Sequence, residues 1–158
     1  MLTEVKIRED AYNFLRENST AVVATSFNGD PRASTVYYFV DEDFNFYFVT
    51  KRKTSKYLNA ELNPKVALVV GFGPEHISVS AHGRVELIVN DIEKQKIISI
   101  IVGKQNLMGV RLWPIDELRN LEGSHKVVLK VVPDEMFFMN LDSDLYPETI
   151  GDTHMKII

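Results

Sequence analysis

The chain of 158 residues contains no cysteine. Disulfides, thiolate zinc centres and cysteine nucleophiles are excluded with it. Such an absence fits a reducing compartment, and a cytoplasmic location is expected. Long apolar runs are missing too. The N-terminal stretch Met1–Lys6 does not read as a secretion signal, and no segment reads as a membrane span. Positive charge is scarce: 18 Lys+Arg stand against 22 Asp+Glu, a net charge of -4. A broad basic face for nucleic acid is therefore not expected. There is no internal repeat, linker or low-complexity stretch, so residues 1–158 read as one domain, with a polar tail over 141–158.

What is present is alternation rich in β-branched and aromatic residues. An amphipathic helix is predicted over Arg8–Asn18, and Thr20–Phe27 reads as a strand. Asn28-Gly29 is a hairpin signal, which Asp30-Pro31 extends, and Ala33–Val40 is the returning strand. After the turn Asp41-Glu42-Asp43, Phe44–Thr50 pairs back. Both faces of these strands are apolar, so each needs a cover: the barrel interior on one side, a helix or partner chain on the other. Thr54–Leu62 reads as a short helix with Leu58 and Leu62 on its apolar face, stopped by Asn63-Pro64. Lys65–Val70 and His76–Val89 are strands around Gly71-Phe72-Gly73-Pro74. Asn90 with Glu93 caps a third, isoleucine-rich helix. Leu107–Leu121 reads as irregular or helical, and His125–Val132 and Glu135–Leu141 as two strands split by Pro133-Asp134. The tail from Asp142 reads as loose, with Met155–Ile158 able to dock. Six or seven antiparallel strands with short connections imply a mainly β fold, a small barrel with flanking helices, because closure removes exposed edges.

Against an acidic background, four cations crowd one loop: Lys51, Arg52, Lys53 and Lys56. Thr50, Thr54 and Ser55 add hydroxyls, and a helix starts there. Cations, hydroxyls and a helix N-terminus together suit an anion, above all a phosphate. A solvated charge run with Thr54 as a plain cap is the competing reading, about equally weighted on spacing alone.

The order of segments carries more than any one of them. Asn28-Gly29-Asp30-Pro31-Arg32, Ser34-Thr35-Val36-Tyr37-Tyr38, Phe46-Tyr47-Phe48-Val49-Thr50, Thr54-Ser55-Lys56 and Asn63-Pro64-Lys65-Val66-Ala67-Leu68-Val69 follow one another. This succession resembles the pyridoxamine 5'-phosphate oxidase-like family of FMN-binding split barrels. Gly83-Arg84-Val85-Glu86 is similar to the family's strand that closes the barrel. The resemblance implies an antiparallel split β-barrel, a homodimer with FMN at the subunit interface, and flavin-dependent oxidoreductase activity on a small-molecule substrate. It implies that Ser34, Thr35 and Val36 lie along the flavin ring, and that Val49 and Thr50 lie at the ribityl and phosphate end. Ser55 and Lys56 match the phosphate-binding pair, with Lys51 or Lys53 standing in for an arginine that relatives carry where Ser55 stands. Ser78 matches a polar position against the ring. The tail 142–158 departs from the pattern that holds the namesake oxidase's phosphorylated vitamin, so another substrate is expected. The same fold also hosts non-catalytic flavin or haem modules and reductases using F420.

No spacing selects a catalytic acid, base or nucleophile. His76, His82, His125 and His154 lack metal-ligand spacing. Most aromatics, Tyr37, Tyr38, Phe46 and Phe48 among them, read as core, with a flavin slot as the alternative. Arg111 and Trp113 read as core or dimer contact, with a reach into a neighbouring active site as the alternative.

Overall fold

The computed structural model describes residues 3–109, 126–141 and 155–158. The elements are α1 (Glu4–Glu17), β1 (Thr20–Phe27), β2 (Asp30–Val40), β3 (Phe46–Lys51), α2 (Ser55–Leu62), β4 (Lys65–Gly71), β5 (Ile77–Ile88), α3 (Asp91–Leu107), β6 (Lys126–Asn140) and β7 (Met155–Lys156). The sheet runs β3-β2-β1-β4-β5-β6-β7, and a β3–β6 pairing closes six strands into an antiparallel barrel. The expected split barrel with flanking helices is the observed fold. The readings at Arg111, Trp113, His125, His154 and positions 142–154 lie outside the described residues.

Alternation builds the interior. Val36, Tyr38 and Val40 from β2, Phe46 and Phe48 from β3, and Met136 and Phe138 from β6 point inward and are buried. Outward-facing Phe39, Tyr47 and Val49 meet Ile97, Ile98, Ile101 and Val102 of α3 in a second cluster. The double-sided apolar strands are thus covered by a helix here. Ile92 is the exception among the α3 isoleucines, 81% exposed. Asn90 caps α3 by accepting from the Glu93 amide at 2.9 Å.

Several boundaries differ from the sequence reading, each for a physical reason. Helix α1 starts a turn earlier, because Thr3 caps it by accepting from the Lys6 amide and its exposed first turn has no apolar period. Asp30 and Pro31 already belong to β2, opposite Phe27 and Ser26. The β2–β3 ladder holds only Tyr38–Phe48, Phe39–Tyr47 and Val40–Phe46. Residues 30–37 are therefore a local edge, where proline's missing N–H does no harm. Phe44 leaves β3 for the turn, at φ 63. Helix α2 buries Tyr57 and Ala60, whereas Leu58 and Leu62 are 47% and 63% exposed, the reverse of the expected face. The two late strands are one, β6, carried past Pro133 by a register shift opposite His82 and Gly83. Docking of the C-terminus holds: Ile157 is buried, its amide bonds the Met136 carbonyl at 2.9 Å, and Arg8 donates to its carbonyl.

Lys104 anchors α3 to the end of α1. Its ammonium donates to the Leu15 carbonyl at 3.1 Å and lies 4.1 Å from the centre of the Tyr38 ring. Burial first, and Arg16 second, lower its pKa to about 8. Between that value and the ordinary 10.5 the folded chain has released a proton that the unfolded chain keeps. Stability therefore rises with pH across this window, and the burial penalty stands in full below it. Urea melts at about pH 7 and about pH 10 check this: the rise should be smaller in Lys104→Met than in the parent. An equal rise in both would remove Lys104 as its source.

Candidate active site

Where β2 and β3 part company, a corner opens. Strand β3 turns to pair with β6 from Phe46–Val131 to Lys51–Lys126, and among the described residues the lower half of β2 is left paired with β1 alone. Ser34, Thr35 and Val36 sit on that unpaired edge. Backbone groups on such an edge lack a strand partner and can serve a ligand. Val36 points into the barrel, Thr35 is exposed and Ser34 is half-buried.

Thr50, next to last in β3, has its side chain buried. The Thr54 hydroxyl donates to the Lys51 carbonyl at 2.8 Å, so the Thr50 hydroxyl, 2.9 Å away, is the donor to Thr54. With its hydroxyl turned back into the loop, Thr54 makes no side-chain cap on α2. Both Tyr57 and Leu58 amides reach the Thr54 carbonyl. The amides of Ser55 and Lys56 bond no acceptor among the described residues. Helices α1 and α3 have capped N-termini with acidic first turns, whereas α2 has neither cap bond nor acid. Its positive end is therefore offset by neither a side-chain cap nor an acidic side chain of the first turn.

Lys56 stands in this first turn, half-buried and in no ion pair among the described residues. Burial lowers its pKa. A cation at a helix N-terminus, partly desolvated and unpartnered, is unfavourable three times over. Lys51, Lys53 and Ser55 are exposed around it. Arg52 turns away and donates to the Tyr57 hydroxyl at 3.2 Å. Tyr57, which no sequence signal marked, fixes α2 to the barrel: it is 3% exposed and belongs to the interior cluster. Asn59 adds a 3.3 Å bond to the Thr25 hydroxyl.

The structure thus gathers Thr50, Lys51, Thr54, Ser55 and Lys56 at one corner, at the end of β3 that has left the β2 edge carrying Ser34–Val36. Val49 faces away into the α3 cluster. Ser78 is buried on β5, with β1 and β4 between it and β2. His82 is exposed, with Nδ1 3.7 Å from Glu135.

A family model described as pyridoxamine 5'-phosphate oxidase matches residues 7–140. Among solved structures, the conserved hypothetical protein Rv2991 from Mycobacterium tuberculosis is similar at 18% identity and a TM-score of 0.68, covering 98% of this chain and 91% of that one. General Stress Protein 26 from Bacillus anthracis str. Sterne is similar at 21% identity and 0.64, over 84% and 92%. A FAD-binding protein from Mesorhizobium loti is similar at 16% identity and 0.60, over 81% and 90%. At such identities these structures speak for the fold. No curated protein matches the chain. With most of the sequence matched by one family model and the barrel present, the chain belongs to the pyridoxamine 5'-phosphate oxidase family.

Proposed function

We propose that the chain is an FMN-binding, flavin-dependent oxidoreductase acting as a homodimer on a small molecule. Lys56 carries this reading: a half-buried cation at an uncapped helix start, in no ion pair among the described residues, suits a phosphate monoester. Lys56, the Ser55 and Lys56 amides and the Ser55 hydroxyl would hold the phosphate, with Lys51 beside them. The free edge at Ser34–Val36 would offer backbone donors and acceptors to a flat ring. Ser78, standing apart from the corner, would meet a ring only from another direction. Bound FMN would supply hydride or electron transfer, and the protein position and charge. The FAD-binding neighbour on the same fold supports a flavin, while the phosphate corner favours the mononucleotide.

Exposed apolar side chains support the dimer. Val22 and Val69 are opposite each other on the outer sheet face, each 39% exposed, and Leu58 and Leu62 on α2 are uncovered. Light scattering should give twice 18.1 kDa; a monomer at micromolar concentration would sink the interface site. The function itself is tested by the cofactor that copurifies. A yellow protein that releases FMN on denaturation, and whose flavin NADH or NADPH reduces, is expected. Uptake of F420 or haem with rejection of FMN would overturn the reading.

A further inference from the structure

We infer that a second pocket, between the ends of α1 and α3 and the β2–β3 turn, binds a small organic carboxylate with a flat apolar body. The cavity is about 640 Å³ and is lined by Tyr12, Phe39, Ile100 and Leu107 together with Arg16 and Lys104. Its volume is in the range of small-molecule sites. It opens beside Val40 and Glu42. The Lys56 corner lies at the other end of β3, roughly 17 Å along the strand.

The two cations decide the ligand's charge. Neither forms an ion pair among the described residues. Arg16 lies over the Tyr12 ring at 5.8 Å, and Lys104 is held by the Leu15 carbonyl and the Tyr38 ring. Lys104 is thereby oriented, and Arg16, although exposed, is laid over the ring at the pocket's rim. The C-terminal carbonyls of α1 are well served by one cation. Two cations brought to one cavity from distant parts of the chain repel each other, and Arg16 does depress the Lys104 pKa. A carboxylate between them offsets that repulsion, and the planar guanidinium matches its two oxygens. Glu42, the acidic group on the lining, opposes an anion but pairs with neither cation, so the lining keeps a net positive charge. The body of the ligand would lie against Tyr12 and Phe39 and cover Leu107, which is 91% exposed.

The test uses 2-naphthoate as the probe and 2-naphthalenemethanol as its uncharged counterpart, with the full chain, both free of cofactor and saturated with FMN. Amide shifts in NMR should move at Gly103 and Leu107 and saturate at millimolar probe, with or without FMN. The alcohol, Arg16→Gln and Lys104→Met should each weaken binding about tenfold. Equal binding of the alcohol, unchanged affinity in both variants, absence of saturation, or displacement of the probe by FMN would each overturn the proposal.

Discussion

Replacing Lys56 by alanine weakens FMN binding by about 1.5–3 kcal/mol, or about 10- to 150-fold, the scale of a hydrogen bond to a charged group. The structure adds a sign that separates this residue from an ordinary surface lysine. In the free protein Lys56 sits against the positive end of α2, partly desolvated, with no acidic neighbour in its turn. Removing it should therefore leave the cofactor-free fold unharmed or more stable by a few tenths of a kcal/mol, since like charge at a helix start is unfavourable. Loss of affinity together with unchanged or raised stability is the expected pair of results. Added salt should also weaken FMN binding less in the variant, because one screened attraction is gone. Fluorescence quenching of FMN on titration reads the affinity, and a urea melt reads the fold. Unchanged affinity would remove Lys56 from the phosphate site. Lys53→Ala, at an exposed turn position, should change affinity far less.

The barrel was legible because local signals agreed with it. Asn28 and Gly29 take φ 51 and 75, as the hairpin they predict requires, and β-branched runs on both sides pair in register. The basic corner was legible because its groups are close in sequence. What escaped were consequences of tertiary placement. Leu58 and Leu62 share a helical period, but the barrel end accepts Tyr57 instead, whose hydroxyl reaches Arg52 and Glu61 at the rim. Thr54 is a good cap by type, yet the neighbouring Lys51 carbonyl and Thr50 hydroxyl hold its side chain. Pro31 and Pro133 both read as interruptions, because a proline's tolerance depends on which edge its strand presents, and no single strand states that. Arg16 and Lys104 meet only through the docking of α3 on α1, so no motif joins them.

Gly83→Ala should be among the most damaging small substitutions in the chain, destabilising it by about 3 kcal/mol, the upper part of the range for overpacking. A Cβ at Gly83 would lie 2.1 Å from the Val132 carbonyl oxygen, 2.8 Å from Pro133 Cα and 2.9 Å from the Val132 carbonyl carbon. All three are backbone atoms, so no side-chain rotation relieves the contact. Gly83 pairs with Pro133 where His82 pairs with Glu135, which leaves Asp134 as the extra residue of the bulge. Proline gives that step no N–H, so the two strands are held there by close approach more than by hydrogen bonding. Pushing them apart disturbs the ladder that runs from Ile77–Asn140 to Ile88–Val128 and carries the closing strand of the barrel. Gly29→Ala is the control: its Cβ meets nothing within 4 Å, and only its φ of +75 opposes the change, for about 1 kcal/mol. Urea midpoints should rank the parent above Gly29→Ala and Gly29→Ala above Gly83→Ala, with similar slopes. A Gly83→Ala loss no larger than that of Gly29→Ala would mean that β5 and β6 can separate at the bulge without strain, and that closure does not depend on this glycine.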